Sequence, residues 1–261
     1  MSEVDAARHL ADVAAGAGLG NHRAAYTPAV MAWSRIRVLG IVAGVALATT
    51  ALAFVIDQAG IAWITGLTAI GTGFGFVLAT AQAWWHERET VGNRLAVYDH
   101  GLVAVVGGRT SVARFDSTTV RQKIVGEHTD GGPIITVHTY TLTDLAGQPF
   151  VLDSSFIQAE QWGRWIQQAV TAAQLPRALA AVRAGHRLGF GDIWLTANEI
   201  GARNRSVPWH QVQGLRTVSG YAEIAVEGAW FGLNSTSIAD IPNFFVLRVL
   251  VDRLRASVSS R

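Results

Sequence analysis

The sequence predicts a transmembrane α-hairpin followed by two mostly β modules, each a small antiparallel barrel or sandwich closed by a C-terminal helix. Three observations carry that expectation. Two long apolar stretches lack any charged residue, at positions 38–56 (VLGIVAGVALATTALAFVI) and 60–85. Beyond Arg94 the pattern changes from continuous hydrophobicity to short alternating runs separated by turn residues. Those runs then recur, in the same order, from about Arg187 onward.

Each apolar stretch is long enough to cross the roughly 30 Å hydrocarbon layer as a helix rising about 1.5 Å per residue. The expected organisation is an N-terminal arm at 1–34, a two-helix hairpin at 35–86, a first module at 90–182 and a second at 187–258. Arg23, Arg35 and Arg37 precede the hairpin, and Arg88 and Arg94 follow it. Asp57-Gln58-Ala59-Gly60, between the spans, carries no basic residue. The positive-inside bias then predicts two spans with both termini cytoplasmic, and the Arg-over-Lys and Ala/Gly/Val bias suits a bacterium, so a bacterial plasma membrane is the expected location. Trp33, Trp63, Trp84 and Trp85 sit where interfacial anchors are expected. The Gly40–Gly44 and Gly71–Gly75 spacings suit close packing of the two helices. No ionisable side chain lies inside either stretch, which argues against a proton or ion pump.

In the arm, Ser2 and Asp5 have capping-box spacing before a short helix reaching about Ala15. Gly16, Gly18 and Gly20 read as a flexible hinge. They lack the preceding strand and following Lys-Ser/Thr of a phosphate loop.

LAVYDHGLVAVV predicts two strands joined at Asp99-His100-Gly101, and TSVARF a third. TTVRQKIVG, ITVHTYTLTD and PFVLDSS supply three more, rich in β-branched and aromatic residues. An amphipathic helix follows, with Ile157, Trp162, Trp165, Ile166 and Val170 on one stripe and Pro176 as its expected end. In the second copy, DIWLTANEIGAR corresponds to VYDHGLVAVV. NRSVPWHQV corresponds to RTSVARFDS, placing Trp209 on Phe115. GLNSTSIAD corresponds to VLDSSFIQA, placing Asn234 on Asp153. The second closing helix is expected from an Asp240 cap, with Pro242 in its first turn and Phe244, Leu247, Val251 and Leu254 on its apolar side. Phe115, Trp162, Trp165, Trp209 and Phe244 are the expected core aromatics.

The segments VYDHGL, TSVARFDSTTV and SVPWHQVQGL resemble bacterial two-span membrane proteins with pleckstrin-homology-like cytoplasmic domains. In these a D-x-G-L strand hairpin is followed by I-P-W-x-x-I. Trp209 falls on the aromatic of that pattern, Pro208 precedes it and Val212 takes the last aliphatic place; Phe115 and Val120 match only approximately. The resemblance spans residues 35–258 and implies the barrel-plus-helix plan, but it brings no assigned activity.

The chain has no cysteine, which excludes disulfides, thiolate catalysis and cysteine-ligated zinc. Its net charge is +2, with Lys123 as the sole lysine, too small and scattered a surplus for nucleic-acid binding. The eight histidines form no compact ligand motif, although His128 and His138 could approach across a hairpin. Asp153-Ser154-Ser155 is expected to cap a helix rather than to act as a nucleophile. No catalytic residue, metal site, cofactor or small-molecule substrate is indicated. Arg109, Arg114, Arg121 and Lys123 are the candidates for contact with lipid headgroups or a protein partner. The expected function is that of a membrane-anchored scaffold presenting tandem modules to a protein partner or to another copy of itself. Binding of anionic lipid and membership of a transport complex are the alternatives, and an open strand edge offers a place for a partner peptide.

Overall fold

The computed structural model describes residues 3–28, 40–42, 44–45, 48, 74–78, 80–81, 92–127 and 135–259. The chain divides into two compact units, Met1–Thr27 with Asn93–Arg261, and Pro28–Gly92.

The larger unit is mostly β-sheet. Helix α1 (Glu3–Gly16) leads into β1 (His22–Tyr26), and after the Pro28–Gly92 unit the chain resumes with β2 (Arg94–Tyr98), β3 (Gly101–Val106) and β4 (Arg109–Arg114). These four strands form an antiparallel meander in the order β1-β2-β3-β4. Strands β5 (Val120–Glu127), β6 (Ile135–Thr143) and β7 (Pro149–Asp153) form a second, three-stranded meander, and helix α2 (Ala159–Arg183) follows.

The same succession then repeats. Strands β8 (Leu188–Phe190), β9 (Ile193–Leu195), β10 (Glu199–Ala202) and β11 (Arg205–Pro208) make a four-stranded sheet. Strands β12 (Val212–Val218), β13 (Tyr221–Val226) and β14 (Thr236–Ser237) make a three-stranded one, and helix α3 (Phe244–Ser259) closes the chain. Residues Gln158 and Asn243, each immediately before its closing helix, both take the left-handed conformation, with φ of 58° and 51°.

One continuous hydrophobic core runs through both halves. It includes Leu95, Leu102, Phe115, Tyr140 and Trp162 from the first, and Ile193, Ile200, Trp209, Ile224 and Leu247 from the second. On the other face of the first sheet, Leu10 and Ala14 of α1 pack with Leu19, Ala96, Tyr98 and Val103. That second layer explains why β2 and β3 are buried at consecutive positions: each face of the sheet has a cover.

The expected transmembrane hairpin is corrected. Among the described residues no helix is long and apolar enough to cross a membrane. Most of 38–56 and 60–85, with the four tryptophans taken as anchors and Gly71, lies outside the described residues. The two-span plasma-membrane placement with cytoplasmic termini therefore loses its structural basis, and with it the membrane-anchored form of the scaffold. Of the glycines expected at a helix–helix contact, Gly40 faces the ring of Phe76. A Cβ built on Gly44 or Gly75 meets none of the described atoms within 4 Å.

Four local expectations also change. The glycine-rich segment is a helix stop: Leu19 N–H donates to Ala14 O (3.0 Å) and Gly18 N–H to Ala15 O (3.1 Å), with Gly18 left-handed at φ 65° and Leu19 fully buried. Residues 22–26, expected in a separate arm, pair with β2. The carboxylate of Asp99 holds this join by accepting bonds from the Asn21 N–H and the Arg23 Nε. The Asn21 bond first, and Arg23 second, hold that carboxyl below the usual carboxylate range. Helix α2 does not end at Pro176 but continues to Arg183, because beyond the proline Val182 is buried and Ala178 and Leu179 pack against the core. Helix α3 starts at Phe244 rather than after an Asp240 cap; Ile238–Asp240 is a 3-10 turn.

The polar residues after β7 and before β14 extend strand pairing instead of capping helices. Ser154 Oγ accepts the His138 N–H at 2.8 Å, and Asn234 Oδ1 accepts the Ile224 N–H at 3.0 Å.

Candidate partner-binding groove

Strand β5 is the edge of its sheet, and alternation fixes what that edge offers. The Val120 N–H donates to Asn243 Oδ1, and the Val120 carbonyl accepts the Asn243 N–H, both at 2.8 Å. The neighbouring Thr119 carbonyl instead accepts the Thr143 N–H, at the start of the β5–β6 ladder. In an antiparallel pair such directions alternate, so Gln122 and Ile124 also point their N–H and C=O groups away from β6. Those outward groups have no hydrogen-bond partner among the described residues.

Gln122, Lys123 and Ile124 line one side of a cavity of about 450 Å³, and the Ile238–Asp240 turn stands close to β5. The second half supplies the other side through Ser219–Tyr221 and Ser237–Ala239. Ser219 (φ 48°) and Gly220 (φ 81°) make the two-residue turn between β12 and β13, a geometry that needs left-handed conformations at both places. The Gly220 carbonyl accepts the Ile238 N–H at 2.9 Å, which fixes the 3-10 turn against the hairpin. Ile124 and Tyr221 are 42% and 49% exposed, leaving apolar surface uncovered beside hydroxyl groups.

The floor of the groove is polar and satisfied. Gln122 is buried, and its Oε1 accepts from Gln167 Nε2 at 2.9 Å. Gln167 Nε2 also donates to Tyr140 Oη at 2.7 Å. Burial pushes the Tyr140 phenol up to about 12, so it stays protonated across the physiological range. Asn243 Nδ2 donates to Gln174 Oε1, and Gln174 Nε2 to the carbonyls of Phe115 and Thr118. The position of β5 is thereby set by Gln167 and Gln174 of α2 and by Asn243, which immediately precedes α3.

The four basic candidates separate into two pairs. Arg109 is ion-paired to Asp144 at 2.8 Å. Arg114 is paired to Asp116 at 2.9 Å and also donates to the Ala17 carbonyl; its guanidinium holds the Asp116 carboxyl below the usual range. Arg121 and Lys123 are exposed on β5, beside and within the groove, and neither is in an ion pair with a described residue. Among the core candidates, Phe115, Trp162, Trp209 and Phe244 are buried, and Trp165 packs edge-on against Phe115. The Trp209 indole donates to the Thr196 carbonyl at 3.0 Å. Sequence reasoning missed Ile124, Tyr221 and Ser219; the Ser219-Gly220 pair between two strand-like runs was the available signal.

Among the described residues no cluster of three or more His, Asp or Glu is placed to hold a metal ion. His128 lies outside the described residues, so its expected approach to His138 has no geometry.

A family model described as a family of unknown function, DUF6585, matches residues 5–260. The chain belongs to that family. No curated protein and no solved structure shows significant similarity to it.

Proposed function

We propose that this protein is a binding module that takes up an extended segment of a protein partner by strand addition along β5. The observation that carries the reading is the pair of outward backbone positions, Gln122 and Ile124, which have no hydrogen-bond partner among the described residues and belong to residues lining a cavity. An incoming strand would complete the ladder with main-chain hydrogen bonds, while the walls select its side chains. The cavity has the size of a small-ligand or short-peptide site. Two successive arrangements of four plus three strands with a closing helix support reading the halves as pleckstrin-homology-like modules, a plan that takes peptides as readily as lipids. Anionic lipid binding is less favoured, because two of the four basic candidates are held in ion pairs.

Ile124→Pro tests the reading. Its N–H points outward, so proline there spares the bonds to β6 while deleting a donor from the edge. Peptides enriched from a randomised octapeptide library on the full chain should lose binding to this variant, whose thermal unfolding should stay near that of the parent. Retained binding would place the site elsewhere.

A further inference from the structure

We infer that the segment received on β5 is an acidic strand, with carboxylates alternating with apolar residues, and that it is not a second copy of this chain. The inference rests on the strand-addition reading above and adds the chemistry of the occupant. Among the described residues lining the groove the only charged side chain is Lys123. Arg121 stands two positions earlier on the same face of β5, since the intervening Gln122 is turned into the core. On the opposite wall Asp240 follows the lining residue Ala239 in the chain, and Glu223 of β13 is ion-paired to Arg216.

A strand laid along this edge sets alternate side chains opposite Arg121 and Lys123, where opposite charge stabilises the pairing and like charge opposes it. The remaining side chains turn toward Ile124, Tyr221 and Ile238, which present apolar surface. The occupant therefore reads acid, apolar, acid, apolar. From Gln122 to Gly126 the edge extends about 14 Å at roughly 3.4 Å per residue, enough for about five residues. Self-pairing of two β5 edges would bring Arg121 and Lys123 of one copy near the same residues of the other. Basic residues on an edge strand act against that kind of association.

The test is the same randomised octapeptide selection, run in parallel on the full chain and on the Arg121→Glu/Lys123→Glu double variant. The parent should enrich peptides with acids at alternate positions. Their affinity for the double variant should fall about tenfold or more, and the variant should enrich basic peptides instead. Enrichment of uncharged peptides that still need an intact Ile124 would leave strand addition standing and overturn the acidic preference. Basic peptides on the parent, or a consensus unchanged by the double variant, would overturn it as well. Sedimentation of the unliganded chain as a dimer that Ile124→Pro disperses would identify a second copy as the occupant. Failure to enrich any peptide would overturn both readings.

Discussion

Gly163 carries no side chain because Tyr140 occupies the place where one would sit. A Cβ built there would lie 2.6 Å from Tyr140 Oη and 2.8 Å from two ring carbons. The ring has little freedom to retreat: it stacks edge-on with Trp162 at 5.3 Å, and its hydroxyl receives the Gln167 amide. Alanine in place of an interior helical glycine ordinarily stabilises by up to about 1 kcal/mol. Here the overlap should win, because forcing a methyl into a close-packed core typically costs about 1–3 kcal/mol. Gly163→Ala is therefore expected to lower stability by about 1–2 kcal/mol in urea unfolding. It should also disturb the groove, since Gln167 bonds both Tyr140 and Gln122.

At the scale of elements, Asn243 joins the second half to the first. Its left-handed backbone turns the chain into α3, and its side chain and N–H pair with Val120 as another strand would. Asn243→Ala should destabilise by about 2–4 kcal/mol, combining a left-handed alanine with a stranded Val120 N–H. Asn243→Gly, which relieves only the backbone, should recover about 1 kcal/mol of that loss. The comparison is made by urea unfolding of the full chains.

What the sequence discloses at this scale follows from locality. Strands β2 to β4 were legible because their partners are consecutive and the turn at Asp99-His100-Gly101 is short. Strand β1 was not, because His22–Tyr26 pairs with β2 across the whole Pro28–Gly92 unit, and a five-residue run announces no distant partner. Pro176 misled for a related reason. A proline costs the helix about 3 kcal/mol locally, but beyond it Val182 is buried in the core and Ala178 and Leu179 pack against it, a tertiary gain no local rule contains. Trp209 could be found because it stands in the place of Phe115, directly after the fourth strand of its half. The groove could not, since its walls come from 122–124, 219–221 and 237–239, and only the packed halves bring those together.

For the whole molecule, the shared core makes the two halves one folding unit in which β5 is held by both, and the groove beside its edge is a property of that assembly. The most direct test is residue-resolved amide hydrogen exchange across β5, in the free full chain and with a peptide obtained by the selection above. Without peptide, Gln122 and Ile124 should exchange faster than Arg121 and Lys123, whose N–H groups point to β6. With peptide bound, Gln122 and Ile124 should become protected while their neighbours change little. Uniform exchange along β5, or peptide binding that leaves Gln122 and Ile124 unprotected, would contradict strand addition at this edge.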